Sequence, residues 1–354
     1  MANMDIGTPR FYVDYVNYLM SRGAAASEFS VVATDASATI MGTFASGTAA
    51  ELFDMKPLNR VTFSTSTDTD GHVLIRFDLG TSAFKPNFVA ILNHNMTTAD
   101  AKFRVAGSGT EGDTDNIDHS GADSLADIGG GADKLEASVV MNGTVASDCV
   151  CTPANDGHTI IKFPEYAAQF WGIQIEGNSG GTFSGTNLSI GCILLGQYYD
   201  MPHSPDMTVK RSIAFDTVDI KESVGGQRYG FIKNTGRSGS NNNLSPFQTY
   251  NTTNDLGVYG GRMSYDLAFS YLNSTDVMPD EYNSPQAADS AVVEDVWNKT
   301  NGRHIPFIFS IDKSSEGSNA ESEHMFARFG QDSLDMGQVA HKLFNVRMKI
   351  EEEF

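Results

Sequence analysis

Asn187 to Pro202 reads NLSIGCILLGQYYDMP, and no other stretch so narrows what the chain can fold into. Ile190, Ile193, Leu194 and Leu195 form an apolar run that stops at Tyr198, Tyr199 and Pro202. Gly191 and Gly196 lie inside the run, and glycine within a strand marks a bend or a backbone passing very close. Such a run suits the closing strand of a β-sandwich, with PHSPD after it as a linker. It divides the chain into two β-rich halves.

Short strands and turns recur on both sides of that boundary. Arg60–Phe63 is a short strand, and the turn TDTDG (Thr67–Gly71) has Asp and Gly where a hairpin wants them. In HVLIRFDLG, Val73, Ile75 and Phe77 alternate with Leu74, Arg76 and Asp78, the period of a half-buried strand. NFVAILNHN (Asn87–Asn95) reads as a buried strand ending in a polar corner, and Lys102–Ala106 as another strand. Leu135–Val140 and Thr144–Val150 are expected to pair across Asn142-Gly143, and TIIKF (Thr159–Phe163) and FWGIQI (Phe170–Ile175) to be strands. About eight antiparallel strands at turn-punctuated spacing predict a jelly-roll sandwich. Past Pro205, Thr208–Phe215, Thr217–Ser223, Arg262–Leu272, Ile305–Ile311, His324–Phe329 and Asn345–Glu351 read as strands. Gln286–Lys299 has helical spacing. The fold class is therefore mainly β, in three parts: an arm with lead-in strands (1–50), a jelly-roll sandwich (51–203), and a second β-rich domain with one short helix (204–354).

The arm, TPRFYVDYVNYLMSRG, is aromatic and fits two periods. Phe11, Val13 and Tyr15 suit a strand, whereas Phe11, Tyr15, Tyr18 and Leu19 suit a helix face. A strand followed by a turn at Arg22-Gly23 is the expectation. Phe11, Tyr12, Tyr15 and Tyr18 then pack either on their own domain or, as an assembly arm, on a neighbouring subunit.

Charge narrows the partners. The net charge is −20 although only 19% of residues are charged, so a polyanion is repelled over most of the surface and nucleic acid is not an expected partner. The start MANMDIGTPRFYVDYVNYLM has no basic stretch leading into an apolar one, and no apolar run approaches the ~20 residues that span a bilayer. Membrane insertion is not expected. Cys149, Cys151 and Cys192 form no disulfide framework, and the isolated Cys149-Val150-Cys151 reads as buried or turn-lining thiols.

No catalytic constellation stands out. GNSGG (Gly177–Gly181) places Ser179 in a GxSxG pattern, but TFSGTNLS after it does not read as the helix that motif requires. HExxH and CxxC are absent, so zinc has no support. Asp113, Asp115 and Asp118 lie in the acidic insertion Gly107–Gly131 at spacings that suit a weak Ca²⁺ site or, equally, solvated turns. His94, between Asn93 and Asn95, suits either a ligand contact or a turn cap. No cofactor is expected, and the chain is not expected to be an enzyme.

Three segments carry a resemblance: Thr8–Gly23; FKPNFVAILNHNM (Phe84–Met96); and LSIGCILLGQYYDMPHSPD (Leu188–Asp206). Together they resemble virion structural proteins of tailed bacteriophages, especially marine ones. The second and third are similar to tail- or baseplate-associated proteins with a discoidin-like jelly roll, in which xFVAILxHN is followed by IGxIxLGxYxDxP. NVRMKIEEEF at the C-terminus resembles the closing strand of such proteins. The match covers residues 8–206 and does not extend to 207–340. It implies a multi-copy particle component in the tail, tail tip or neck, assembled in the host cytoplasm. Its partners would be copies of itself and other virion proteins, with host attachment as an allied role. Discoidin-like sandwiches often bind sugars through loops at one end. On the alternative of a carbohydrate-binding adhesin, His94, Asn95, Trp171, Tyr198 and Tyr199 would contact a host surface glycan.

Overall fold

The computed structural model describes residues 6–31, 43–65, 72–111, 133–147, 149–177, 183–214, 218–232, 261–278, 291–317 and 320–353. The protein is mainly β, with antiparallel sheets. Eight strands build the sandwich: β1 (Arg10–Asp14), β2 (His72–Asp78), β3 (Phe88–His94), β4 (Ala101–Ser108), β5 (Cys151–Thr152), β6 (Gly157–Lys162), β7 (Phe170–Gly177) and β8 (Cys192–Asp200). One sheet runs β1-β8-β3-β6 and the facing sheet β2-β7-β4-β5. The first, eighth, third and sixth strands thus oppose the second, seventh, fourth and fifth, which is a jelly roll. Val73, Ile75, Phe77, Phe103 and Ile173 from one sheet meet Val89, Ile91, Ile161, Ile193 and Leu195 from the other in a shared core.

The first strand of this jelly roll comes from the expected arm, outside the 51–203 boundary. β1 is no appendage: it pairs with β8 on one side and with Phe307–Ser310 on the other. Every residue of β1 is buried. The chain then turns directly into helix α1 (Tyr15–Ser21), where a strand was expected to continue to the turn at Arg22-Gly23. Asp14 is the reason: its carboxylate accepts from Val16 N and Asn17 N and caps the helix.

From β1 the same sheet continues through the second half as β1, then Phe307–Ser310 (β10), His324–Phe329 (β11), Leu343–Glu352 (β12), Arg262–Asn273 (β9) and Lys210–Ala214. No break in pairing separates residues before and after 204. Alternation along the middle strands sends side chains to two cores. Tyr12, Ile308 and Phe326 point into the sandwich. Phe11, Val13, Phe307, Phe309, Met325 and Ala327 point into a second core with Tyr265, Leu267 and Phe269 of β9. Val293 and Val296, on the helix Val292–Lys299, pack into that second core. Each large apolar side chain so buried contributes about 1.5–3 kcal/mol. The segment read as a linker is tied at both ends: Met201 N donates to Pro9 O at 2.9 Å and Asp206 N to Ala268 O at 2.8 Å.

Gly191 and Gly196 are explained by close approach. A Cβ at Gly191 would sit 2.0 Å from Pro57 O, and one at Gly196 would sit 1.9 Å from Val13 O. Other local expectations are revised. Ser138–Met141 pairs with β6, and Thr144–Val145 with β5, so Asn142-Gly143 carries the chain from one sheet to the other rather than closing a hairpin. The outer side of β2 is buried at His72 and Leu74, so that strand is covered on both faces. The second half holds three short helices among its described residues, Ser274–Val277, Val292–Lys299 and Ala320–Glu323, where one was expected. Asn273 and Asp276 form a capping box that starts the first of them.

One element stands apart. Val218–Glu222 and Arg228–Ile232 form a two-stranded ribbon whose strands pair only with each other among the described residues. Ile220 is 64% exposed, Tyr229 46% and Phe231 53%.

Candidate functional site at the junction of β1 and β8

Two polar networks lie along the β1–β8 pair. At one end, Arg10 stands opposite Asp200 in register. Its Nε and Nη2 donate to the two carboxylate oxygens at 2.6 and 3.0 Å, the forked geometry that suits guanidinium and carboxylate. The guanidinium also lies 4.1 Å from the centre of the Tyr198 ring. Glu316, from the segment after β10, approaches Arg10 at 3.8 Å and accepts from Lys162 at the end of β6. Lys313 lies 3.8 Å from Asp200. These three cations and two carboxylates pair with one another, and they join the sandwich to the second half.

Beneath the helix Val292–Lys299, a buried network runs inward. Lys299 Nζ donates to Tyr199 Oη at 2.6 Å and to Asp295 Oδ1 at 3.3 Å. Tyr199 Oη donates to Gln197 Oε1 at 3.1 Å, and Tyr15 Oη donates to the same oxygen at 2.5 Å. Gln197 Nε2 then donates to Glu165 Oε1 at 2.9 Å. Burial raises the pKa of both phenols, Tyr15 and Tyr199. A phenol serving as acid or base near neutrality needs the opposite shift. The network ties the helix Val292–Lys299 to β8 and α1.

The residues proposed from sequence are scattered, and most are enclosed. Trp171 is buried in the sandwich, where its Nε1 donates to Ala168 O at 3.0 Å. Tyr199 is the buried hub just described. His94 is fully buried: Met96 N donates to its Nδ1 at 3.2 Å, which leaves the proton on Nε2 to donate to Thr159 Oγ1 at 2.9 Å. Burial, with Arg60 beside it, pushes its pKa down to about 3, so the ring is neutral. It is a turn cap rather than a ligand contact. Asn95 is half-buried and pins the same corner, donating to Asn187 O at 2.9 Å and accepting from Ser189 N at 2.6 Å. Tyr198 is partly exposed, but its ring stacks against Arg10. The structure does not bring these five residues together as one site: His94, Trp171 and Tyr199 are buried, and Asn95 and Tyr198 are occupied by neighbours in the same chain.

The assembly arm is corrected likewise. Phe11, Tyr12, Tyr15 and Tyr18 are all buried inside their own chain: the first two lie on β1, which has a strand on each edge, and the other two lie on α1 with their rings against Phe84. Asp113, Asp115, Asp118 and Ser179 lie outside the described residues. Among the described residues, no three His, Cys, Asp or Glu side chains gather as metal ligands would, and no helix is long and apolar enough to cross a membrane.

Sequence reasoning missed Arg10, Asp14, Lys299, Gln197 and Glu165. Asp14 was legible as an N-cap ahead of YVNYLMS. The others depend on pairings between residues far apart in the chain.

These features define the class: a mainly β protein built on a jelly-roll sandwich whose first sheet extends into a second core. No family model matches the chain, and no curated protein matches it. Among solved structures, CBM32-1 from a family 31 glycoside hydrolase of Clostridium perfringens is similar at 13% identity, over 48% of this chain and 94% of that one, with a TM-score of 0.29. A likeness that slight carries no argument about what this chain binds.

Proposed function

We propose that the protein is a structural component of a tailed-phage virion, in the tail, tail tip or neck. It works there through contacts with copies of itself and with other particle proteins, without catalysis, metal or cofactor. The ribbon Val218–Ile232 carries the protein-contact reading. It presents Ile220, Tyr229 and Phe231 to solvent on strands that pair only with each other among the described residues, the kind of surface that a protein contact covers. The three resembling segments supply the particle. The junction supports the same reading, because its polar groups are spent on internal partners.

Mass spectrometry of purified virions tests this. The chain should appear in many copies per particle, and its absence would overturn the proposal. Three of the five side chains that motivated the adhesin alternative, His94, Trp171 and Tyr199, are buried, and a glycan array with purified protein is expected to be blank.

A further inference from the structure

We infer that the outer face of β9 around Tyr271 docks on the acidic sandwich half of a second copy, head to tail. The inference rests on the assembly reading and names one partner for it.

A bulge presents the ring. Tyr265, Leu267 and Phe269 of β9 alternate into the second core, and that period would send Tyr271 after them. Instead the register slips. Phe269 stands opposite Val346 and Leu272 opposite Phe344, so Ser270 and Tyr271 together face the single residue Asn345. Leu272 takes the core position, and Tyr271 is left 68% exposed. Its φ is +65°, in the left-handed region where a side chain crowds its own backbone. Asn345 Oδ1 accepts from Tyr271 N at 3.3 Å and holds the bulge. Glycine would hold the same bulge without strain. A strained aromatic that its own chain leaves in water points to a contact outside the chain.

The surroundings suit a protein partner. Asp206 accepts from Ser270 N at 3.3 Å and from Ser270 Oγ at 2.7 Å, which fixes the fully exposed Met207 beside the bulge. An unbranched thioether adapts to the surface it meets. Arg347 is exposed two residues along β12 from Asn345, on the same face. Residues 336–350 carry Lys342, Arg347 and Lys349 and no Asp or Glu. Lys349 pairs with Glu351, whereas Lys342 and Arg347 have no carboxylate partner among the described residues. Asp206 and Asp276 are occupied by Ser270 and Asn273.

Charge selects the partner. Residues 1–200 hold 23 Asp and Glu against 10 Lys and Arg, a net of −13. The cations beside Tyr271 therefore find complementary charge on the sandwich half of another copy. A two-fold pairing of the face with itself would set cations on cations, so the contact is heterologous.

Sedimentation velocity of the whole chain over a concentration series, at low and at high salt, tests the docking. The wild type should self-associate at low salt and dissociate as salt screens the opposed charges. Tyr271→Gly should weaken association about tenfold or more, as loss of a central aromatic anchor does. The same variant should keep or raise the thermal midpoint, because glycine takes the positive φ freely. Arg347→Glu should also weaken association. A chain that is monomeric at every concentration would overturn the inference, and so would association that Tyr271→Gly leaves intact. A midpoint lowered by Tyr271→Gly would overturn it too, by showing that the ring serves the fold. A monomeric chain still present in many copies per virion would keep the virion proposal and remove only this one.

Discussion

Strand β1 and the ribbon Val218–Ile232 are both short, both strand-forming, and both carry aromatic rings among charged residues, yet they end in opposite environments. All five residues of β1 are buried, with a strand on each edge and a core on each face. The ribbon exposes Ile220, Tyr229 and Phe231, and its strands have no neighbour beyond each other among the described residues. What separates them is the number of partners, which composition does not encode. An aromatic segment with two strand neighbours is a keystone; the same chemistry with open edges is a surface.

If β1 is the keystone, emptying it should cost the most. Phe11 sits in the second core with its ring 5.3 Å from that of Phe309 and 5.6 Å from that of Phe307. Phe11→Ala is expected to destabilise by about 3–5 kcal/mol, the range for a fully buried aromatic. Urea unfolding followed by tryptophan fluorescence measures it. A loss below about 1 kcal/mol would break the contrast with the ribbon.

Acid should act on the interior in the same way. Burial holds the folded pKa of His94 and of His158 down to about 3, and that of His324 down to about 4, against an ordinary 6.5. Below pH 6.5 the unfolded chain takes up protons that the folded one refuses. Each histidine therefore removes up to about 1.4 kcal/mol of stability per pH unit, down to its folded value. Asp14 works the other way. Burial raises its pKa to about 6 from 3.8, so the fold keeps a proton that the unfolded chain has lost, and this offsets one histidine as pH falls from 6 towards 4. The net expectation is a loss of roughly 2–3 kcal/mol per pH unit between pH 6 and 4. Urea midpoints that stay flat from pH 7 to 4.5 would show that these rings titrate freely.

Two glycines sharpen the comparison at smaller scale. A Cβ at Gly196 meets Val13 O at 1.9 Å, whereas one at Gly230 meets nothing within 4 Å. Gly196→Ala should force β8 from β1 and cost about 1–3 kcal/mol, as overpacking does. Gly230→Ala should be neutral or slightly stabilising, because it only restricts the unfolded chain. Equal effects at the two sites would mean that the junction yields more easily than its contacts imply.

Much of the framework was legible from local pattern. The alternation of Met263, Tyr265, Leu267 and Phe269 marked the buried face of β9, and the glycines of NLSIGCILLGQYYDMP marked close backbone approach. The jelly roll was legible as a count of strands, but its first member was not, because β1 pairs with β8 across some 190 residues. Period alone could not tell a peripheral arm from a central strand. The same limit misplaced the site. Trp171, Tyr199 and His94 are types that bind ligands when exposed, and exposure depends on how distant strands stack. Lys299 and Gln197 gave no signal, since each matters through partners distant in the chain, Tyr199 for the one and Tyr15 and Glu165 for the other.

The smallest expected effect is also the most discriminating. Phe231 stands across the ribbon from Asp219, and about half of its surface is open to water. If that surface awaits a partner, the isolated chain gains little from the ring, and Phe231→Ser should shift unfolding by no more than about 0.5 kcal/mol, as surface substitutions do. The urea dependence should be unchanged as well, because hardly any area newly exposed on unfolding is removed. Against the 3–5 kcal/mol expected at Phe11, this would separate a ring kept for the fold from a ring kept for something outside it. A loss above about 1 kcal/mol would mean that Phe231 already packs within its own chain, and the ribbon would then belong with β1.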